Sequence, residues 1–102
     1  MLLLEFSMYP TDKGASVSPY VARSLEIIDR SGLPYRLGPM GTTVEGEYDE
    51  VMAVVRACYE RMSEDCDRIA CQLKLDWRRG GSGRLEGKVD KLRRLTGRDL
   101  QT

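Results

Sequence analysis

The sequence predicts an α+β fold: one four-stranded antiparallel sheet, segments in the order β-α-β-β-α-β, and a further helix at the C-terminal end. Three observations predict it. Apolar residues alternate with polar ones along short segments, most clearly at residues 2–9 and 68–77. Two stretches between strands carry apolar residues at helical spacing, and glycine or proline stands at most of the joints.

Residues 2–9, LLLEFSMY, form the first predicted strand. Leu2, Leu4, Phe6 and Met8 point to one face, and Leu3, Glu5, Ser7 and Tyr9 to the other. Ser18-Pro19 reads as a helix start, with Ser18 as the cap and Pro19 pre-set at the first helical position. Val21, Leu25 and Ile28 make its apolar stripe; Gly32 and Pro34 end it. Residues 34–37 and 42–45 are two short strands around a Gly38-Pro39-Met40-Gly41 turn. Asp49 is the expected cap of a second helix reaching about Glu64, with Val51, Val55, Cys58 and Met62 on one side. Residues 68–77 are the longest strand, Ile69, Cys71, Leu73, Leu75 and Trp77 on one face and Ala70, Gln72, Lys74 and Asp76 on the other. A basic, glycine-rich loop (residues 78–83) leads to a last helix bearing Leu85, Val89 and Leu92 and ending near Gly97.

This order is the split-βαβ, ferredoxin-like arrangement. Right-handed crossovers place the two main helices on one face and make the first and third strands central. The apolar set of every strand, Cys71 and Trp77 included, is then expected beneath those helices.

The 102 residues suit one domain, residues 1–102. Sixteen basic residues balance sixteen acidic ones, so no global field favours nucleic acid or an anionic membrane. No run approaches a membrane span, and Met1 to Leu4 lack the features of a signal peptide. Three cysteines without a CxxC pair suggest reduced thiols in a cytoplasmic protein rather than a disulfide framework or a metal site. The absence of histidine removes the commonest general base and metal ligand. Ser7 therefore has no imidazole to activate it. Neither a cofactor nor catalysis is expected.

The face opposite the helices carries Leu3, Glu5, Ser7, Tyr9, Thr43, Glu45, Gln72, Lys74 and Asp76. Glu5 and Glu45 lie on adjacent central strands about 4.8 Å apart. Like charges there are destabilising unless a cation stands between them, and Lys74 or a ligand can supply it. The same pattern also fits an ordinary half-solvated sheet. Arg78 to Arg84 can cradle an anion with the backbone N–H groups its glycines leave free, or can serve as a plain linker. The fourth strand, an apolar-rich edge, needs either the C-terminal helix or a partner chain to cover it. Pro34 and Pro39 protect the other edge.

At Glu5-Phe6-Ser7, at residues 31–42 (SGLPYRLGPMGT), at Val44-Glu45-Gly46 and at residues 78–80 and 83–89 (GRLEGKV), the chain resembles a known group. It is similar to the thiamine-binding-protein family, single-domain relatives of the tandem YkoF-type proteins that bind thiamine and hydroxymethylpyrimidine. The resemblance covers nearly the whole chain. It implies a ferredoxin-like fold, homo-oligomers (dimers or tetramers), no established catalytic activity, and thiamine or its pyrimidine precursor as ligand.

The open face is compatible with that chemistry. Ser7, Thr42 and Thr43 can bond a pyrimidine edge; Glu5 or Glu45 can accept from its amino group or balance the thiazolium; Lys74 completes the set. Thr42 alternates toward the core and needs the Gly38–Gly41 segment to re-aim it. The competing reading is an oligomeric scaffold or regulatory interaction domain without a small ligand, in which Glu5, Glu45 and Lys74 pair across subunits. An enzyme using the two carboxylates is the most distant reading.

Overall fold

The computed structural model describes all 102 residues. Strand β1 runs Leu2–Pro10, helix α1 Ser18–Arg30, β2 Tyr35–Leu37, β3 Thr42–Gly46, α2 Tyr48–Ser63, β4 Ile69–Trp77 and α3 Arg84–Thr96. The strands lie in the order β2-β3-β1-β4, every neighbouring pair antiparallel. The α+β arrangement, with β1 and β3 central, is the one the sequence predicts.

Period-two alternation builds the core. Leu2, Leu4, Phe6 and Met8 pack with Val44 against Ile28 of α1 and Val51, Cys58 and Met62 of α2, all of them buried. Between β2 and β3 the chain reverses tightly: the Gly38 N–H donates to the Gly41 carbonyl at 2.9 Å. A Cβ at Gly38 would stand 2.9 Å from that same oxygen, so only glycine fits.

The helix starts differ from expectation. Val17, not Ser18, takes the cap position of α1, with no side chain closing it. Ser18 lies inside the first turn, where Pro19 has no N–H that needs an acceptor. Glu47, not Asp49, caps α2: its N–H donates to Glu50 Oε1 at 2.9 Å. Asp49 instead adds negative charge to the first turn, where the helix dipole favours it.

The larger correction concerns β4. Helices α1 and α2 pack over β1 and β3, so the edge strand β4 projects beyond them. Leu73, Leu75 and Trp77 are 45%, 47% and 58% exposed on the helix-side face, and Cys71 is exposed beside them. Trp77 is no core anchor; it stacks instead under the Arg79 guanidinium, 5.3 Å from the ring centre. Nor does α3 cover this stripe. It crosses the opposite face of the sheet, over β3 and toward β2, where Glu86 approaches Arg36 at 3.9 Å.

Candidate functional site

Strand register decides which polar side chains meet on the face opposite α1 and α2. Glu5 pairs with Thr43 on β3 and with Lys74 on β4, while Arg36 of β2 pairs with Thr43. Arg36, Thr43, Glu5 and Lys74 thus form one row across all four strands. Ser7 and Gln72 make the next row, and Glu45, Leu3 and Asp76 the row on the other side. Glu5 and Glu45 are therefore diagonal neighbours, not opposite each other, which puts roughly 7–8 Å between their positions.

Helix α3 splits this face into two halves of different character. On one half Glu45, Arg84, Asp76 and Lys88 bond to one another. Glu45, only 4% exposed, accepts the Arg84 N–H through Oε2 at 2.8 Å and so closes the N-terminus of α3. The buried Arg84 side chain donates to the Asp76 carbonyl at 3.0 Å and to Asp76 Oδ2 at 2.6 Å, and Lys88 also bonds that carboxylate. The bond from Lys88 and those from Arg84 hold the Asp76 carboxyl below the usual carboxylate range.

The other half is left open. Glu5, Ser7, Thr43, Gln72 and Lys74 take part in none of the molecule's side-chain hydrogen bonds or ion pairs. Glu5, Ser7, Gln72 and Lys74 line a cleft of about 180 Å³ with Met40 at its rim. That volume is below the roughly 300–1,000 Å³ usual for small-molecule sites, so the cleft holds one ring or is completed by another surface.

Beyond Phe6, strand β1 has no partner on the β3 side, because the β3 pairing stops at Thr42. The Gly38–Gly41 turn folds over this step. Beneath it, on the helix side, a cavity of about 390 Å³ opens between β1 and α1, with Thr42, Ser24, Val21, Leu25 and Met40 among its walls. Met40, 88% exposed, borders both the cavity and the cleft.

Of the six residues expected at a site, Glu5, Ser7, Thr43 and Lys74 thus come together on the open half. Thr42 is buried on the helix side and faces the cavity. Glu45 shares the open-face side but lies beneath α3, its carboxylate already engaged. Sequence reasoning missed the cavity, whose signals were a small polar residue on the apolar face of α1, Ser24, and the double-glycine turn. It also missed Arg36, since only the β2–β3 register brings that side chain into the row. No cluster of three His, Cys, Asp or Glu side chains is placed to hold a metal ion. No helix is long and apolar enough to cross a membrane.

Comparison with known proteins adds a family. The family model described as "Thiamine-binding protein" matches residues 4–93. A UPF0045 protein of Methanocaldococcus jannaschii, MJ1052, is 32% identical over 94 residues, spanning 92% of this chain and 94% of that one. A UPF0045 protein of Mycobacterium tuberculosis is 33% identical over 94 residues, 91% of this chain and 92% of its own. The crystal structure of MJ1052 superposes with a TM-score of 0.83 over 89% of this chain and 94% of its own. That of a Thermotoga maritima protein described as a candidate for thiamine biosynthesis or salvage gives 0.79 at 30% identity, over 90% and 98% of the two chains.

Proposed function

This chain belongs to the thiamine-binding protein family, and from that premise we propose that it is a non-catalytic binder of thiamine or its hydroxymethylpyrimidine moiety. One observation carries the reading: on a face where Glu45, Arg84, Asp76 and Lys88 are bonded to one another at α3, Glu5, Ser7, Gln72 and Lys74, with Thr43 beside Glu5 in register, remain grouped and unengaged. An aminopyrimidine matches that set. Its amino group donates to the Glu5 carboxylate, its ring nitrogens accept from Ser7, Thr43 or Lys74, and the thiazolium charge of thiamine is balanced by Glu5. Met40 covers the ring from the Gly38–Gly41 turn, and Thr42 is reached only through the cavity beneath. Glu45 serves as the cap of α3 rather than as a ligand group.

The cleft is shallow, and a second copy of the chain completes it in this reading. The long β4 edge with its exposed Leu73, Leu75 and Trp77 is the apolar surface a homodimer or homotetramer would cover. The protein then works as a carrier, buffer or sensor in the cytoplasm. That same stripe favours the second reading, an oligomeric scaffold without a small ligand.

Thermal unfolding with and without millimolar thiamine or hydroxymethylpyrimidine separates the two. A ligand at about 100 times its Kd adds roughly 2.7 kcal/mol, a rise of several degrees for a domain of this size. Glu5→Gln should weaken binding about tenfold without loss of fold. No shift with either compound, and no change on Glu5→Gln, would leave the scaffold.

A further inference from the structure

A second polar cavity, of about 320 Å³, lies beyond the far end of β4 where the glycine-rich loop enters α3. No hydrophobic residue lines it. Arg78 directly follows β4, Ser82 comes from the loop, and Arg84, Gly87, Lys88 and Lys91 lie on one stretch of α3. In a chain with no net charge, four cations here face two carboxylates: Asp76, which engages Arg84 and Lys88, and the buried Glu45, which accepts the Arg84 N–H. Glu86, the acidic residue of the first turn, points away toward Arg36. Arg78 and Lys91 enter none of the eight ion pairs of the molecule. Their charges are uncompensated.

Gly87 is an independent observation. It sits inside α3 with ordinary helical backbone, having no positive φ, so conformational freedom does not explain it. A Cβ there would meet nothing within 4 Å, so close packing does not explain it either. Glycine in a helix interior is unfavourable relative to alanine. Without a side chain there, the wall of the basic cavity is bare backbone facing open space, one turn into α3.

We propose that this cavity is a binding site for a small phosphorylated molecule, a phosphomonoester or diphosphate. The anion is held by Arg78 and Lys91, flanked by Arg84 and Lys88 where Asp76 fixes them, and admitted by Gly87. The site is separate from the cleft around Glu5 and takes its charge from residues that the thiamine reading leaves idle. The concave shape suits a compact anion better than a polynucleotide, which needs an extended basic track.

The test is titration of the full-length protein with inorganic phosphate and diphosphate, by calorimetry and thermal shift, at constant ionic strength set with chloride. Saturable diphosphate binding with a dose-dependent rise in Tm is expected. Arg78→Gln with Lys91→Gln should weaken it by about tenfold or more, and should leave any thiamine response unchanged. Gly87→Leu fills the cavity with a good helix former, so Tm without anion should hold or rise while diphosphate binding is lost. The proposal is overturned if diphosphate acts no differently from chloride, or if the double variant and Gly87→Leu bind as the parent does. Binding of an oligonucleotide without saturable diphosphate binding would equally overturn it. Because no thiamine is present in the primary titration, its result does not depend on the thiamine reading.

Discussion

Removing the Glu45 carboxylate separates a structural role from a ligand role more cleanly than any other change to this molecule. In the structure the carboxylate is buried and accepts the first N–H of α3 at 2.8 Å, where the helix dipole reinforces the bond. A charge-assisted hydrogen bond of this kind contributes about 1.5–3 kcal/mol, and its loss leaves the Arg84 N–H unpaired. Taking about 2 kcal/mol, Glu45→Ala should raise the open fraction of α3 roughly thirtyfold, since about 1.4 kcal/mol corresponds to tenfold. Glu45→Gln keeps an acceptor oxygen and should raise it only a few-fold. Native-state hydrogen exchange of the α3 amides reads this directly, while amides of β1 report whether the rest of the sheet is disturbed. Glu5→Gln, which removes no internal bond, should leave exchange in α3 unchanged. If Glu45→Ala left α3 exchange as in the parent but abolished the response to thiamine, the cap assignment would be wrong and Glu45 would be a ligand group.

Two further outcomes are expected. The Arg23 guanidinium, bonded through both nitrogens to Asp65 at 2.8 Å, holds the Asp65 carboxyl down to about 2. Because the folded value lies below the unfolded one, this stabilisation is fully present above about pH 4 and disappears as pH falls toward 2. Acid titration followed by circular dichroism should therefore show a shallower loss of stability over that window for Asp65→Asn, and an unchanged slope would refute the pairing. Leu73→Lys with Leu75→Lys places charges on the half-exposed stripe of β4. The variant should fold with unchanged circular dichroism yet run as a monomer in light scattering, and Cys71 should react more readily with a thiol reagent than in the parent. An oligomer of unaltered size would show that β4 is not the contact.

The order and type of every element were legible in the sequence because their causes are local. Alternation over Leu2 to Met8, the stripes Val21-Leu25-Ile28 and Val51-Val55-Cys58-Met62, and the breaks at Gly32, Pro34 and Gly46 each lie within a few residues. The helix caps were displaced by one or two residues because several acceptors compete there. At α2 the pair Glu47 and Glu50 prevails over Asp49 through a reciprocal backbone bond that spacing alone does not rank.

Alternation says which residues share a face of a strand, and that much of the candidate site was set by sequence: Glu5 and Ser7 on one side of β1, Lys74 with them on β4, Glu45 and Thr43 on the same side of β3. Which of them stand opposite one another depends on register between strands far apart in the chain, and that only the folded sheet decides. Coverage is likewise tertiary. Cys71, Leu73, Leu75 and Trp77 form an apolar face as clear as that of β1, but two helices span about two strands and leave the outermost one bare. On the other face the path of α3 made Glu45 a buried cap and left Glu5 an open carboxylate, although in sequence the two were equivalent. The sequence by itself determined the elements and their faces, because side-chain periodicity is a property of the local backbone. Only the tertiary structure decided which faces are covered and which charges are satisfied, because those depend on where distant segments come to rest.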